Sequence, residues 1–88
     1  MASCSVELSP TALGEWMNLS SREARLAADQ ALEELTRERH PAGSFQLAGE
    51  RAWRLVRRLV IVVYLPTESG AFVTGIRDRI RVRGPGDE

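Results

Sequence analysis

The residues that could do chemistry here are arginines. All twelve basic residues of the chain are Arg, with no Lys. Lack of Lys reads as genome composition, but the clustering of eight arginines after position 50 reads as function. A guanidinium grips phosphate or carboxylate through paired N–H groups. It stays protonated, so it can steady an anion but cannot accept a proton. Arg54, Arg77 and Arg79 fall on segments expected to form adjacent strands, and Arg54 and Arg77 could converge on one phosphate if they share a face. Arg77 is the first choice. Arg57, Arg58 and Arg81 are expected to add further phosphate contacts. The plainer reading is that each of these arginines simply solvates a strand face or meets a protein partner.

Other chemistry finds little support. His40 is the only histidine and precedes Pro41 in a turn-rich stretch, so it reads as a surface turn residue and no catalytic triad can be assembled. Ser9, Ser20 and Ser21 sit where helix caps belong. The single cysteine, Cys4, cannot form an internal disulfide and reads as a buried or edge-strand thiol. No Cys/His cluster offers a metal site, and no cofactor is expected. Tyr64, Trp16 and Trp53 read as core residues.

A length of 88 residues leaves room for one domain, expected over 1–88 with a flexible tail from about 84. Hydrophobic residues at 43% and charged residues at 27% fit a globular protein. No apolar run reaches membrane-spanning length, and the N-terminus does not read as a signal peptide, so a cytoplasmic protein is expected. The formal net charge of zero hides an asymmetry. Residues 1–50 carry four arginines against eight acids, a balance of −4, whereas 51–86 carry eight arginines against Glu68 and Asp78, a balance of +6. A local basic patch can attract an anion in a neutral molecule.

These residues need a scaffold. Weak alternation over 3–8 predicts a short strand. Ser9-Pro10 predicts a helix start, with the helix running over 10–18. Ser20-Ser21-Arg22-Glu23 reads as a capping box built on Ser20 and Glu23. The helix it opens, from about 21 to 38, carries an apolar stripe of Ala24, Ala28, Ala31, Leu32 and Leu35. After His40-Pro41-Ala42-Gly43-Ser44 the hydrophobic period falls from 3.6 to 2. Phe45 and Leu47 suggest a short strand, Trp53–Val56 another, and Arg57-Arg58 a hairpin turn. Leu59–Leu65 (LVIVVYL) reads as a central strand covered on both faces. Ala71 to about Arg79 forms the last strand, which Arg81 and Arg83 could extend. The fold class is α+β in the order β-α-α-β-β-β, with two helices packed on one face of a small, mostly antiparallel sheet.

Several stretches resemble the RelE/ParE superfamily of small bacterial toxins from type II toxin–antitoxin modules. VELSPTAL resembles that family's first strand and helix start. AADQALEELTRERHPAGSFQLAGERAWRL resembles its second helix, Pro-Gly turn, L-x-G element and W-R-L strand. WRLVRRLVIVVY matches its strand–turn–strand ending in V-x-Y, and GIRDRIRVR its basic last strand. The resemblance spans roughly residues 5–80 and implies a RelE-like fold. It also implies a toxin, foremost a ribosome-dependent mRNA endonuclease that inhibits translation, held inactive by a cognate antitoxin. The ribosome and mRNA would be further partners. Arg77 falls where the family often has an active-site arginine.

The sequence also departs from the nuclease pattern. Ile61 stands where the nucleases commonly carry a basic residue, and the closing RGPGDE has no Tyr or His. These departures favour a ParE-like, non-nucleolytic toxin that blocks an enzyme such as gyrase, or a degenerate member that only binds its antitoxin. Either way, an apolar central strand beside an arginine-rich one would suit an acidic antitoxin segment.

Overall fold

The structure is a computed structural model that describes residues 4–79. Strand β1 (Ser5–Leu8) leads into α1 (Pro10–Met17) and α2 (Arg22–Arg37). Then follow β2 (Ser44–Gln46), β3 (Trp53–Val56), β4 (Val60–Pro66) and β5 (Gly70–Asp78). The class is the α+β arrangement expected. Counting the short β2, four strands follow the helices rather than three. The five strands form one sheet in the order β1-β5-β4-β3-β2, antiparallel throughout except for the parallel β1–β5 pair. Arg81, Arg83 and the tail lie outside the described residues.

Local signals explain most boundaries. Ser9 caps α1, its hydroxyl accepting from the Ala12 N–H at 3.0 Å, and Pro10 takes the first turn, where no donor is needed. The second cap corrects the expected capping box. Ser21 rather than Ser20 is the N-cap of α2, accepting from the Ala24 N–H. Ser20 faces the sheet instead: its N–H and hydroxyl both donate to the Asp78 carboxylate, at 3.0 and 2.8 Å.

The core lies between the helices and one sheet face. Ala24, Ala28, Ala31 and Leu35 of α2 meet Leu55, Val60, Val62, Tyr64, Val73 and Ile76. Alanines on the stripe let α2 lie close to the sheet. Each fully buried Val, Leu or Ile side chain of this core contributes about 1.5–3 kcal/mol when removed from water. Strand β4 alternates: Val60, Val62 and Tyr64 are buried, whereas Ile61, Val63 and Leu65 are only half-buried. The expected cover on both faces is therefore present on one face only. Ladder partners share a face, so Phe45, Arg54, Val56, Ile61, Val63, Leu65, Phe72 and Arg77 all look away from the helices.

Tyr64 anchors the turn before β2. Its buried hydroxyl donates to the Arg39 carbonyl at 2.9 Å and lies 3.0 Å from His40 Nδ1. The His40 ring stacks on Trp53 with centroids 3.8 Å apart. His40 is thus an exposed turn residue as expected, but one with a packing role. Burial pushes the Tyr64 phenol above its ordinary value of 10.0, against a smaller lowering from the Ser44 side chain.

Candidate functional site

Strands β3 and β5 flank β4 and place one arginine each on the open face. Arg54 pairs across from Val63, and Arg77 pairs across from Ile61. The two arginines stand diagonally over β4. Strand spacing and a two-residue offset put their Cα atoms about 12 Å apart, a span two extended side chains can close. They line one open cleft of about 220 Å³ together with Ile61 and Val63. The floor is therefore aliphatic and the walls cationic. A site of this kind strengthens an electrostatic contact by excluding water beneath it.

Both guanidinium groups are also near carboxylates. Arg54 Nη1 donates to Glu50 Oε1 at 2.7 Å, and Arg77 Nε stands 3.9 Å from Glu15 Oε2. Arg77 is two-thirds exposed, at 67%, and makes no closer polar contact among the described residues. The partly exposed pairing at Arg54 is worth little in water, so an incoming phosphate can displace it.

The other candidate arginines lie elsewhere. Arg57 is engaged on the helix side of the sheet: Nη2 and Nε bind the Glu34 carboxylate of α2, and Nη1 donates to the carbonyls of Ala42 and Val56. That set of bonds fastens α2 to the β3–β4 turn. Arg58 is exposed in the same turn. Arg79 follows β5 and donates through Nη1 to the Arg57 carbonyl at 3.0 Å, outside the cleft. Arg81 lies outside the described residues. Of the five singled-out arginines that lie among the described residues, two line one cleft.

A larger hollow of about 390 Å³ lies on the open face, lined by Arg51, Leu65, Pro66, Thr67 and Phe72. It offers one cation and no acid or base, so the smaller cleft is the better chemical candidate despite its size. Among the described residues, no cluster of His, Cys, Asp and Glu could hold a metal ion. None of the described helices is long and apolar enough to cross a membrane.

Sequence reasoning missed Glu15, Glu50 and Arg51. Gly75 inside β5 was the available hint, because a glycine within a strand often marks a close approach by another group. A Cβ there would stand 3.2 Å from Glu15 Oε1.

Comparison with known proteins points the same way for the fold. The chain aligns over 91% of its length with the whole of a chain in the crystal structure of the intact E. coli RelBE toxin–antitoxin complex, with a TM-score of 0.66 and 23% identity. The fold is RelE-like. No protein-family pattern matches the sequence, and no curated protein matches it. In this RelE-like sheet the open face carries the cleft and the helix face carries the core.

Proposed function

We propose that this chain is the toxin of a toxin–antitoxin module, acting as a metal-independent endoribonuclease on mRNA at the ribosome. The carrying observation is the pair Arg54 and Arg77 facing each other over Ile61 and Val63 on the open face of a RelE-like sheet. In-line attack of a ribose 2′-hydroxyl on its own phosphate builds negative charge on the phosphoryl oxygens. Two guanidinium groups fixed on strands suit that charge as it grows. As the new bond to the 2′-oxygen forms, the bond to the 5′-oxygen breaks, leaving a 2′,3′-cyclic phosphate and a 5′-hydroxyl. No residue lining the cleft can take the 2′-proton, so that proton and the one the 5′-oxygen gains pass through the ribosome or water. The cognate antitoxin would be a segment with acidic and apolar side chains, matching cationic walls and an aliphatic floor. A bacterial cytoplasm is the setting this reading implies.

One observation favours a second reading. Ile61, not a cation, stands on the cleft floor, and the cleft's lining includes no His or Tyr. A non-nucleolytic toxin that blocks an enzyme such as gyrase, or a degenerate antitoxin-binding member, fits that floor. Induced expression followed by primer extension on translating ribosomes separates the readings. The nuclease reading predicts new 5′ ends that vanish in R77A. Growth arrest with intact mRNA and inhibited supercoiling would replace it with the second reading.

A further inference from the structure

The edge of β5 carries a feature that the proposed reaction leaves unused. Strand β1 stops at Leu8, opposite Val73, whereas β5 continues to Asp78. Past Val73 no strand among the described residues lies beside that edge, and α1 lies there instead. Glu15 of α1 reaches the exposed edge, and its Oε1 accepts the Ile76 backbone N–H at 2.8 Å. One carboxylate oxygen is thereby tied to the backbone one residue before Arg77. The other, Oε2, stands 3.9 Å from Arg77 Nε.

Gly75 makes this approach possible. A Cβ at that position would stand 3.2 Å from Glu15 Oε1, 3.7 Å from Val63 Cβ and 3.8 Å from Arg77 Nε. The first distance is tighter than ordinary van der Waals contact, so a Cβ there would shift the carboxylate by a few tenths of an ångström. The missing side chain, the tied oxygen and the facing Nε together form a small built device. The Glu15 side chain is 32% exposed, compared with 67% for the Arg77 side chain, and at 3.9 Å the two make a long ion pair rather than a hydrogen bond.

We infer that Glu15 is a positioning residue for Arg77: its backbone-tied carboxylate attracts the Nε edge of the guanidinium across a long ion pair, which turns both Nη amines toward the oxygens of one phosphate. This deepens the nuclease reading and rests on it for its functional consequence. A carboxylate in this place has two opposed effects. It orients the cation, which aids the transition state, and its charge repels the phosphate of the ground state.

Glu15→Gln separates these effects from folding, because an amide oxygen can still accept the Ile76 N–H. Its melting temperature is expected to match the wild type. Single-stranded RNA should bind about twofold to fivefold more tightly, as befits loss of one partly exposed charge contact. The turnover number should fall about tenfold, less than the roughly hundredfold that a 1 Å misplacement can cost. Gly75→Ala keeps the charge but displaces the carboxylate, and should lower turnover with little change in KM.

A readout independent of cleavage is the 15N–1H signal of Arg77 Nε, which should move toward that of a free arginine in both variants. The inference is overturned if both variants keep the wild-type Nε signal and wild-type turnover while Arg77→Ala abolishes cleavage. If Arg77→Ala cleaves like the wild type, Arg77 takes no part in cleavage and the inference falls with it. If the wild type itself cleaves no RNA, the nuclease reading falls instead, and the Nε signal alone decides whether Glu15 orients Arg77.

Discussion

Arg57 and Arg77 are indistinguishable by residue type, yet substituting each should give opposite results. Arg57 is about three-quarters buried, with 25% of its side chain exposed. It binds both oxygens of Glu34 and the carbonyls of Ala42 and Val56. Arg57→Ala removes a forked ion pair and two carbonyl contacts, and leaves Glu34 and those carbonyls to water. A partly exposed pair contributes up to about 1 kcal/mol, and a hydrogen bond from a charged group about 1.5–3 kcal/mol before solvent compensation. Because the site is partly wet, a total near 2 kcal/mol is expected. For a domain of this size, 1 kcal/mol moves the melting temperature by about 4–8 °C, so Arg57→Ala should melt roughly 8–16 °C lower. Arg77→Ala removes a mostly exposed side chain with one long contact, and should stay within about 0.5 kcal/mol of the wild type. Thermal melts followed by circular dichroism, paired with RNA binding by fluorescence anisotropy, read both effects. Arg57→Ala is expected to lose stability and keep binding, and Arg77→Ala the reverse. Equal melting of the two variants, or loss of RNA binding in a folded Arg57→Ala, would refute this division of roles.

Trp53→Ala should cost about 3 kcal/mol, the lower end for a large aromatic, because the ring is half-buried and also loses the His40 stack; chemical denaturation reads the loss. Tyr64 ties stability to alkaline pH. Its folded-state value lies above 10.0, so the neutral phenol is favoured by folding. The contribution is complete below about pH 10 and is lost as pH rises through the folded value. Melting temperatures of the wild type should therefore fall above pH 10 more steeply than those of Tyr64→Phe. Gly70→Ala should cost at least the 1–3 kcal/mol typical of overpacking, since a Cβ at Gly70 would stand 2.0 Å from the Ser5 carbonyl oxygen in the β1–β5 pairing; hydrogen exchange should show β1 released first.

What the sequence made legible was its periodic part. LVIVVYL announced the central strand, the alanine stripe announced a close-lying helix, and Ser9-Pro10 announced the start of α1. The shared face of Arg54 and Arg77 depends on the register of β3, β4 and β5, which alternation within each strand does not fix. Other features depend on partners far along the chain. Ser20 and Ser21 are equivalent as letters, and Asp78, 58 residues away, claims the first and leaves the second to cap α2. Arg57 looked like a free phosphate ligand because Glu34, 23 residues earlier, is brought to it only by helix packing. Glu15 sits on α1 with no periodic mark of its role, and only the bare edge of β5 gives it one. His40 could be placed in a turn, but not on the face of Trp53.

The central claim is that Arg54 and Arg77 hold one phosphate together. A double-mutant cycle tests it most directly, using Arg54→Ala, Arg77→Ala and the double variant with single-stranded RNA across a salt series. The double variant should flatten the slope of log K against log salt by about 0.7, the share of one phosphate contact on a single strand, and each single variant by less than that. The double variant should lose less binding free energy than the two single losses combined, because the two groups share a ligand. Strictly additive losses, or wild-type binding in all three variants, would contradict the account.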